Sequence, residues 1–160
     1  MSIQILGVIA CIIGIGSYLF DSGVRYKLSQ FISSLLFAGH YGLLDAYSAA
    51  ATQLVNAIRG LLSINISNNA LLAVLYIAYW GIGGYFYTNL NDILPLIAVT
   101  IGSYAIVKLD GLKFRVTMLA PSLIWVLIGT IENSIGGVAM SSIILCINIT
   151  KIARLMPTRE

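Results

Sequence analysis

Phe31-Ile-Ser-Ser-Leu-Leu-Phe-Ala-Gly-His40-Tyr-Gly-Leu-Leu-Asp45-Ala-Tyr-Ser-Ala-Ala-Ala-Thr-Gln53-Leu-Val-Asn56-Ala-Ile-Arg59 decides how this chain is read. Two apolar runs meet at a short turn around Leu44 to Ser48. Five polar side chains interrupt them: His40, Asp45, Gln53, Asn56 and Arg59. Apolar runs of this length prefer lipid, and a polar group inside one is costly unless it faces protein or a wet cavity. The stretch therefore reads as a membrane hairpin with a polar seam. A similar design recurs from about Met118 to Arg154.

The whole chain shares this character. Of its 160 residues 59% are hydrophobic and 9% charged, and its mean hydropathy is +0.94. Soluble domains carry about 25% charged residues, so the composition is that of an integral membrane protein too short to hold a separate soluble domain. The net charge of +3 is spread over the ends of apolar segments rather than gathered in one patch, which gives no nucleic-acid signal. Cys11 and Cys146 both lie deep in apolar runs and read as two buried free thiols, a disulfide requiring that the first and last helices touch. Met1-Ser-Ile-Gln-Ile-Leu has neither a basic n-region nor a following cleavage site, so the first apolar run is expected to stay as a helix.

A spanning helix needs about 20 mostly apolar residues. Seven segments fit, at roughly 3–20, 28–44, 47–64, 70–88, 92–108, 113–131 and 135–155. Gly7, Gly14, Gly16, Gly102, Gly136 and Gly137 recur inside them, and small residues let membrane helices approach closely. With seven crossings, all nine Lys and Arg fall on one side of the membrane: Arg25 and Lys27, Arg59, Lys108, Lys113 and Arg115, then Lys151, Arg154 and Arg159. Asp45, Asp92 and Glu132 fall on the other. Because basic residues gather on the cytoplasmic side, the N-terminus is expected outside and the C-terminus in the cytoplasm.

The order of motifs repeats. Gly16-Ser17-Tyr18 in the first segment matches Gly102-Ser103-Tyr104 in the fifth. Gly42 and Asp45 match Gly129 and Glu132. Asn56 precedes Arg59 by three residues, as Asn148 precedes Lys151. The offset drifts from 86 to 92 along the chain. One segment, 70–88, lies between the repeats, so both units point the same way through the membrane, as parallel repeats of a transporter do. The expected fold is all-α: a three-helix bundle over 1–64, a linker helix at 70–88 and a second three-helix bundle over 92–155.

Among the polar residues, Gln53, Asn56 and Arg59 are spaced i, i+3, i+6 and form one stripe on the third segment. That stripe reads either as packing between helices, with Arg59 snorkelling to the surface, or as a cavity wall. His40, the only histidine, reads either as an inter-helix hydrogen bond or as a cavity-lining, proton-sensitive group. Without a second His or a nearby Cys it is a poor metal ligand, and no metal or cofactor is expected. Tyr85, Phe86 and Tyr87 read as an aromatic belt, and Tyr76, Tyr79 and Trp80 as packing or lipid-facing residues. A membrane enzyme needs a plausible acid, base or metal pair. His40 with Asp45 is the only local candidate, so the chain is read as no enzyme.

The 3+1+3 plan with an outside N-terminus resembles the SWEET, SemiSWEET and PQ-loop superfamily of small transporters. More narrowly, Phe37-Ala-Gly-His40-Tyr41-Gly-Leu-Leu-Asp45-Ala-Tyr and Leu54-Val-Asn56-Ala-Ile-Arg59 resemble the YgjV-type bacterial inner-membrane proteins over nearly the whole chain. The SWEET resemblance implies a central site between the bundles with an Asn from the third and an Asn from the seventh helix, positions matched by Asn56 and Asn148, and a Trp from the sixth, matched by Trp125. The chain departs from that superfamily in lacking a Pro in its first segment; Pro95 and Pro121 lie in the fifth and sixth.

These readings lead to a multi-pass protein of the bacterial inner membrane that moves a neutral polar solute, of the sugar, nucleoside or vitamin class, by alternating access. The site expected is Asn56, Asn148, His40, Trp125 and Gln53, with the two asparagines facing each other at similar depth. Membrane lipid and a small solute are the expected partners, with no nucleic acid, and a homo-oligomer is left open. The alternative is a non-transporting partner subunit or scaffold of the same membrane.

Overall fold

A computed structural model describes residues 2–17, 24–66, 68–109 and 111–155. Among them the chain forms eight α-helices: α1 (Ser2–Ser17), α2 (Val24–Gly42), α3 (Tyr47–Leu62), α4 (Asn69–Tyr85), α5 (Ile93–Lys108), α6 (Gly111–Thr117), α7 (Leu119–Ile131) and α8 (Ile135–Leu155). A 3-10 turn at Leu90–Asp92 leads into α5. The helices follow the seven expected segments, with three main differences: the fourth ends at Tyr85 rather than at 88, and two more concern the second and the sixth. The second begins at Val24 rather than at 28, and the sixth is broken into α6 and α7. Residues 18–20, Tyr18 of the repeat among them, and Arg159 lie outside the described residues.

The break has a chemical cause. Pro121 has no N–H to give the Thr117 carbonyl, and its ring crowds the carbonyl four residues back. The helical bonding is interrupted at Met118, which keeps a right-handed backbone and still donates to the Phe114 carbonyl, so α6 and α7 run on as one span. Ser122 then ties the new helix to this turn twice, its backbone N–H and its hydroxyl both donating to the Met118 carbonyl, at 3.2 and 2.7 Å.

The turns after α2 and after α7 share one backbone motif. Asp45 and Asn133 both adopt positive φ, 59° and 52°. Around Asp45, the Ala46 N–H donates to the Tyr41 carbonyl and the Asp45 N–H to that of Gly42. Around Asn133, Ser134 donates to Gly129 and Asn133 to Thr130. This bond pair is the Schellman arrangement that satisfies the last carbonyls of a helix. Asp45 and Asn133 lie 88 residues apart. In this register the partner of Asp45 is Asn133, one residue beyond the Glu132 that the sequence motif pairs with it.

Packing closes six segments into a ring. α1 lies against α2 and α8, α2 against α3, α3 against α5, α5 against α7, and α7 against α8; α4 lies outside, against α3 and α5. Side-chain bonds fix which ends sit together. Ser48 donates to the Asp92 carbonyl, joining the starts of α3 and α5, and Gln4 clasps the α7–α8 turn through Asn133 and Ile135. At the opposite end Lys27 reaches the Ser63 carbonyl and Lys108 reaches Asn69. The described carboxylates Asp45, Asp92 and Glu132 thus share one end, and the described Lys and Arg the other.

The polarity is inverted relative to a soluble domain. Large apolar side chains cover the outside, Ile77 on α4 being 74% exposed, while His40, Thr52, Ser103, Ser134 and Asn148 are buried. Such a broad apolar exterior is a surface for lipid. The helical spans Leu90–Lys108, Gly111–Ile131 and Ile135–Leu155 are long and apolar enough to cross a membrane; Ile3–Gly16 and Asn69–Tyr85 are apolar but shorter. α2 and α3 are diluted by the polar residues that face protein. Both cysteines are free although α1 and α8 do touch. Cys11 is buried as expected, whereas Cys146 is exposed on the outer face of α8.

Two apolar clusters form the interior. Phe37, Tyr41, Ala10 and Ile128 join α1, α2 and α7; Val55, Leu75, Tyr79 and Val99 join α3, α4 and α5. Trp125 packs against both.

Candidate functional site

Trp125 is also where the interior opens. It lines a cavity of about 110 Å³ with Asn56 and Arg59 from α3, Gly102 from α5, Pro121 from the α7 start and Ser141 from α8. The rest of the wall is apolar apart from Ser122, and includes Val99, Ile106 and Ile144. Four segments of the ring thus supply it. A helical turn of α3 presents both polar groups together, because Asn56 and Arg59 share a face at i, i+3.

A hydrogen-bond chain holds this wall. Arg59 Nη1 donates to the Ser103 hydroxyl at 3.1 Å, Ser103 to the Tyr79 hydroxyl at 3.3 Å, and Tyr79 to Asn56 Oδ1 at 2.7 Å. Asn56 Nδ2 lies 3.4 Å from Gln53 Oε1, at the long limit for such a bond. Gln53 therefore supports Asn56 from the turn before and is not itself part of the lining.

Asn148 stands elsewhere. It is buried, and its Oδ1 accepts from Arg115 Nη1 of α6 at 3.1 Å. In the register fixed by the two turns, Ile144 rather than Asn148 is the partner of Asn56, and Ile144 is what lines the cavity on α8. Asn148 lies four residues farther along the same face, about 6 Å along the helix axis. The matching asparagines are on equivalent faces but one turn out of step.

His40 is a hub of a different kind. Its Nδ1 donates to the Ile3 carbonyl at 2.9 Å, since that carbonyl can only accept, and its Nε2 lies 2.7 Å from the Ser134 hydroxyl. Ser134 also accepts from the Gly137 N–H at the start of α8. Tyr41 hydrogen-bonds to the same serine and stacks on Phe37, with Trp125 beyond it, 5.9 Å away between ring centroids. The imidazole sits directly over Gly7, where a β-carbon would come within 2.8 Å of the ring. His40 joins α1, α2 and α8 and does not line the cavity. Among the described residues no group of three His, Cys, Asp or Glu side chains is gathered as a metal site.

Of the expected site residues, the structure brings Asn56 and Trp125 to one cavity, sets Gln53 behind Asn56, and holds His40 and Asn148 in separate bonded pairs. Sequence reasoning passed over Tyr79, which is fully buried and orients Asn56. Its spacing of four from the buried Leu75 marks the inner face of α4, yet the crowd of aromatics around it masks that signal. Ser103, noted as a repeat marker, turns out to be the partner of Arg59.

A family model described as a bacterial inner membrane protein, Imp-YgjV, matches residues 1–159. The chain is also 29% identical, over 151 residues, to inner membrane protein YgjV of Escherichia coli strain K12, an alignment that covers 94% of this chain and 82% of that protein. No solved structure matches.

Proposed function

The chain belongs to the Imp-YgjV family of bacterial inner membrane proteins, and from that premise we propose that it is a small-solute transporter of the inner membrane. In this reading the seven segments all cross the bilayer, α1–α3 and α5–α8 form two three-helix units linked by α4, and the carboxylate end faces out. The ring supports the pairing of units: α3 meets α5 as α8 meets α1, the contacts that a two-fold relation between parallel repeats requires. So does the Schellman turn that recurs 88 residues apart. The SWEET-like plan supplies the mechanism, with the two units rocking about a site between them.

One observation carries the proposal. A cavity bounded by helices of both units holds Asn56 and Arg59 in a mostly apolar lining, and such polar groups within a membrane are functional by default. Neutral sugars, nucleosides or vitamins suit two facing amides. Here one amide and one guanidinium face the cavity, and the solute class changes with them.

The test is flux into proteoliposomes for a panel of neutral and charged solutes. Wild-type uptake that Asn56→Ala abolishes, with the amount of folded protein unchanged, is the expected result; no flux of any solute rejects transport. Orientation is read separately in whole cells with an impermeant thiol reagent. Asn91→Cys should label and Leu112→Cys should not. A second reading, a non-transporting partner subunit or scaffold, draws on the Arg115–Asn148 and His40–Ser134 pairs, in which polar groups satisfy each other across helices.

A further inference from the structure

We infer that the Asn56–Arg59 cavity is a binding site for a small oxyanion, of the size of a short-chain carboxylate. The inference rests on reading this cavity as the solute site, and it assigns the chemistry of the occupant.

The wall offers donors where its charge lies. A guanidinium carries five N–H donors and no acceptor, and the recorded bond of Arg59 goes to a neutral hydroxyl, Ser103. The Asn56 carbonyl oxygen accepts the short bond from Tyr79, and its NH2 group is held only loosely by Gln53, so the amide has donors to offer. Ser122, with its hydrogen committed to Met118, contributes a lone pair to the same cavity. Such a set matches a solute with a charged, acceptor-rich head, and suits a neighbouring hydroxyl as well.

The surrounding charge agrees. The described carboxylates Asp45, Asp92 and Glu132 stand at the opposite end of the bundle, and Arg115 adds a second guanidinium one turn before the lining residue Met118. A cation in an apolar surround, with no described carboxylate beside it, draws an anion more strongly than it would in water. Size sets the rest. The cavity of about 110 Å³ admits a carboxylate with a short tail, or a phosphate. The apolar side, Val99, Ile106, Ile144 and the Trp125 ring, suits a short hydrocarbon tail.

Trp125 makes the site observable. The chain has two tryptophans, and Trp80 lies on α4 away from the cavity lining, so Trp80→Phe leaves Trp125 as the single reporter. Full-length protein is titrated in detergent with sodium acetate, lactate and phosphate, and with glucose and glycerol, at constant ionic strength in sodium chloride. A saturable change in Trp125 fluorescence with an oxyanion and not with the neutral solutes is expected. The charge-assisted contact predicts half-saturation weakened by about tenfold or more in Arg59→Gln and largely kept in Arg59→Lys. Acetate and lactate active with phosphate silent identifies a carboxylate site; the reverse identifies a phosphate site; both outcomes support the inference. A saturable response to glucose or glycerol equal to that for the anions, no saturable response to any oxyanion, or unchanged binding in Arg59→Gln overturns it. Should Arg59→Gln fail to fold, the wild-type comparison of anions with neutral solutes decides alone. Flux of a neutral solute with oxyanions silent removes the inference and leaves transport standing; oxyanion binding without flux does the opposite.

Discussion

At the α1–α8 contact two backbones meet with no side chain between them: a β-carbon on Gly136 would lie 2.1 Å from the Gly7 carbonyl oxygen. At the α3–α5 contact Arg59 reaches across to Ser103 beside a cavity. Both are joints between α1–α3 and α5–α8, and they are built from opposite materials. The first is sealed by main-chain proximity, capped by His40 and clasped by Gln4. The second is spanned by side chains that can change rotamer. Small-residue contacts resist separation because van der Waals packing, with no hydrophobic drive in lipid, is what holds membrane helices. In the proposed rocking of the two units, the glycine joint would be the pivot and the polar joint the side that opens.

Substitutions can break that contrast at chosen points. Gly136→Ala should be the most damaging, at about 3 kcal/mol, the upper end for an overpacked interior, because backbone must move to admit the new carbon. Gly16→Ala is its control, since nothing lies within 4 Å of the added carbon, and should stay within about 0.5 kcal/mol of wild type. Thermal unfolding in detergent reads both, and equal effects would mean that α1 and α8 do not pack at glycine. His40→Ala leaves the Ile3 carbonyl and the Ser134 hydroxyl without their buried partner and should cost about 1–3 kcal/mol, while leaving the Trp125 response to solute in place. A lost response with normal stability would put His40 in the site after all.

Tyr79→Phe probes the polar joint. Membrane hydrogen bonds average about 0.6 kcal/mol, so stability should fall little, yet Asn56 loses its orienting partner and solute affinity should drop. The smallest expected effect concerns Glu132, in the turn above the glycine joint. Burial, and then the charge of Asp92, raise its pKa above the ordinary carboxylate value. The folded state then holds the proton more tightly than the unfolded one, so stability is fullest below the unfolded pKa and declines as pH rises through the folded pKa. Glu132→Gln should remove that decline, giving a small gain at neutral pH that vanishes in acid. An identical pH profile of the melting temperature for both proteins would refute it.

Much of the fold is legible in the residues, because length, hydropathy and the placement of Lys and Arg all respond to the bilayer. The segment 135–155 is found as drawn, and Pro121 marks the break that divides the sixth segment. The site is less legible. A motif of Asn followed three residues later by a basic residue occurs on both α3 and α8, and periodicity fixes the face of a helix. It does not fix which turn of that face meets a neighbour. Only the Schellman turns at Asp45 and Asn133, set by backbone geometry, supply the missing register. Tyr79 and Ser103 are hidden for a related reason: each becomes polar machinery only when α3, α4 and α5 are brought together.

The one-turn slip between Asn56 and Asn148 gives the cavity a handedness of function. Two matched asparagines at equal depth would greet a solute alike from either flank, and the molecule could sit in two equivalent poses. With Ile144 where the second amide would be, one flank offers charge and amide while the other offers hydrocarbon and the hydroxyl of Ser141. In the proposed transport, a bound solute would have a head and a tail and would travel facing one way.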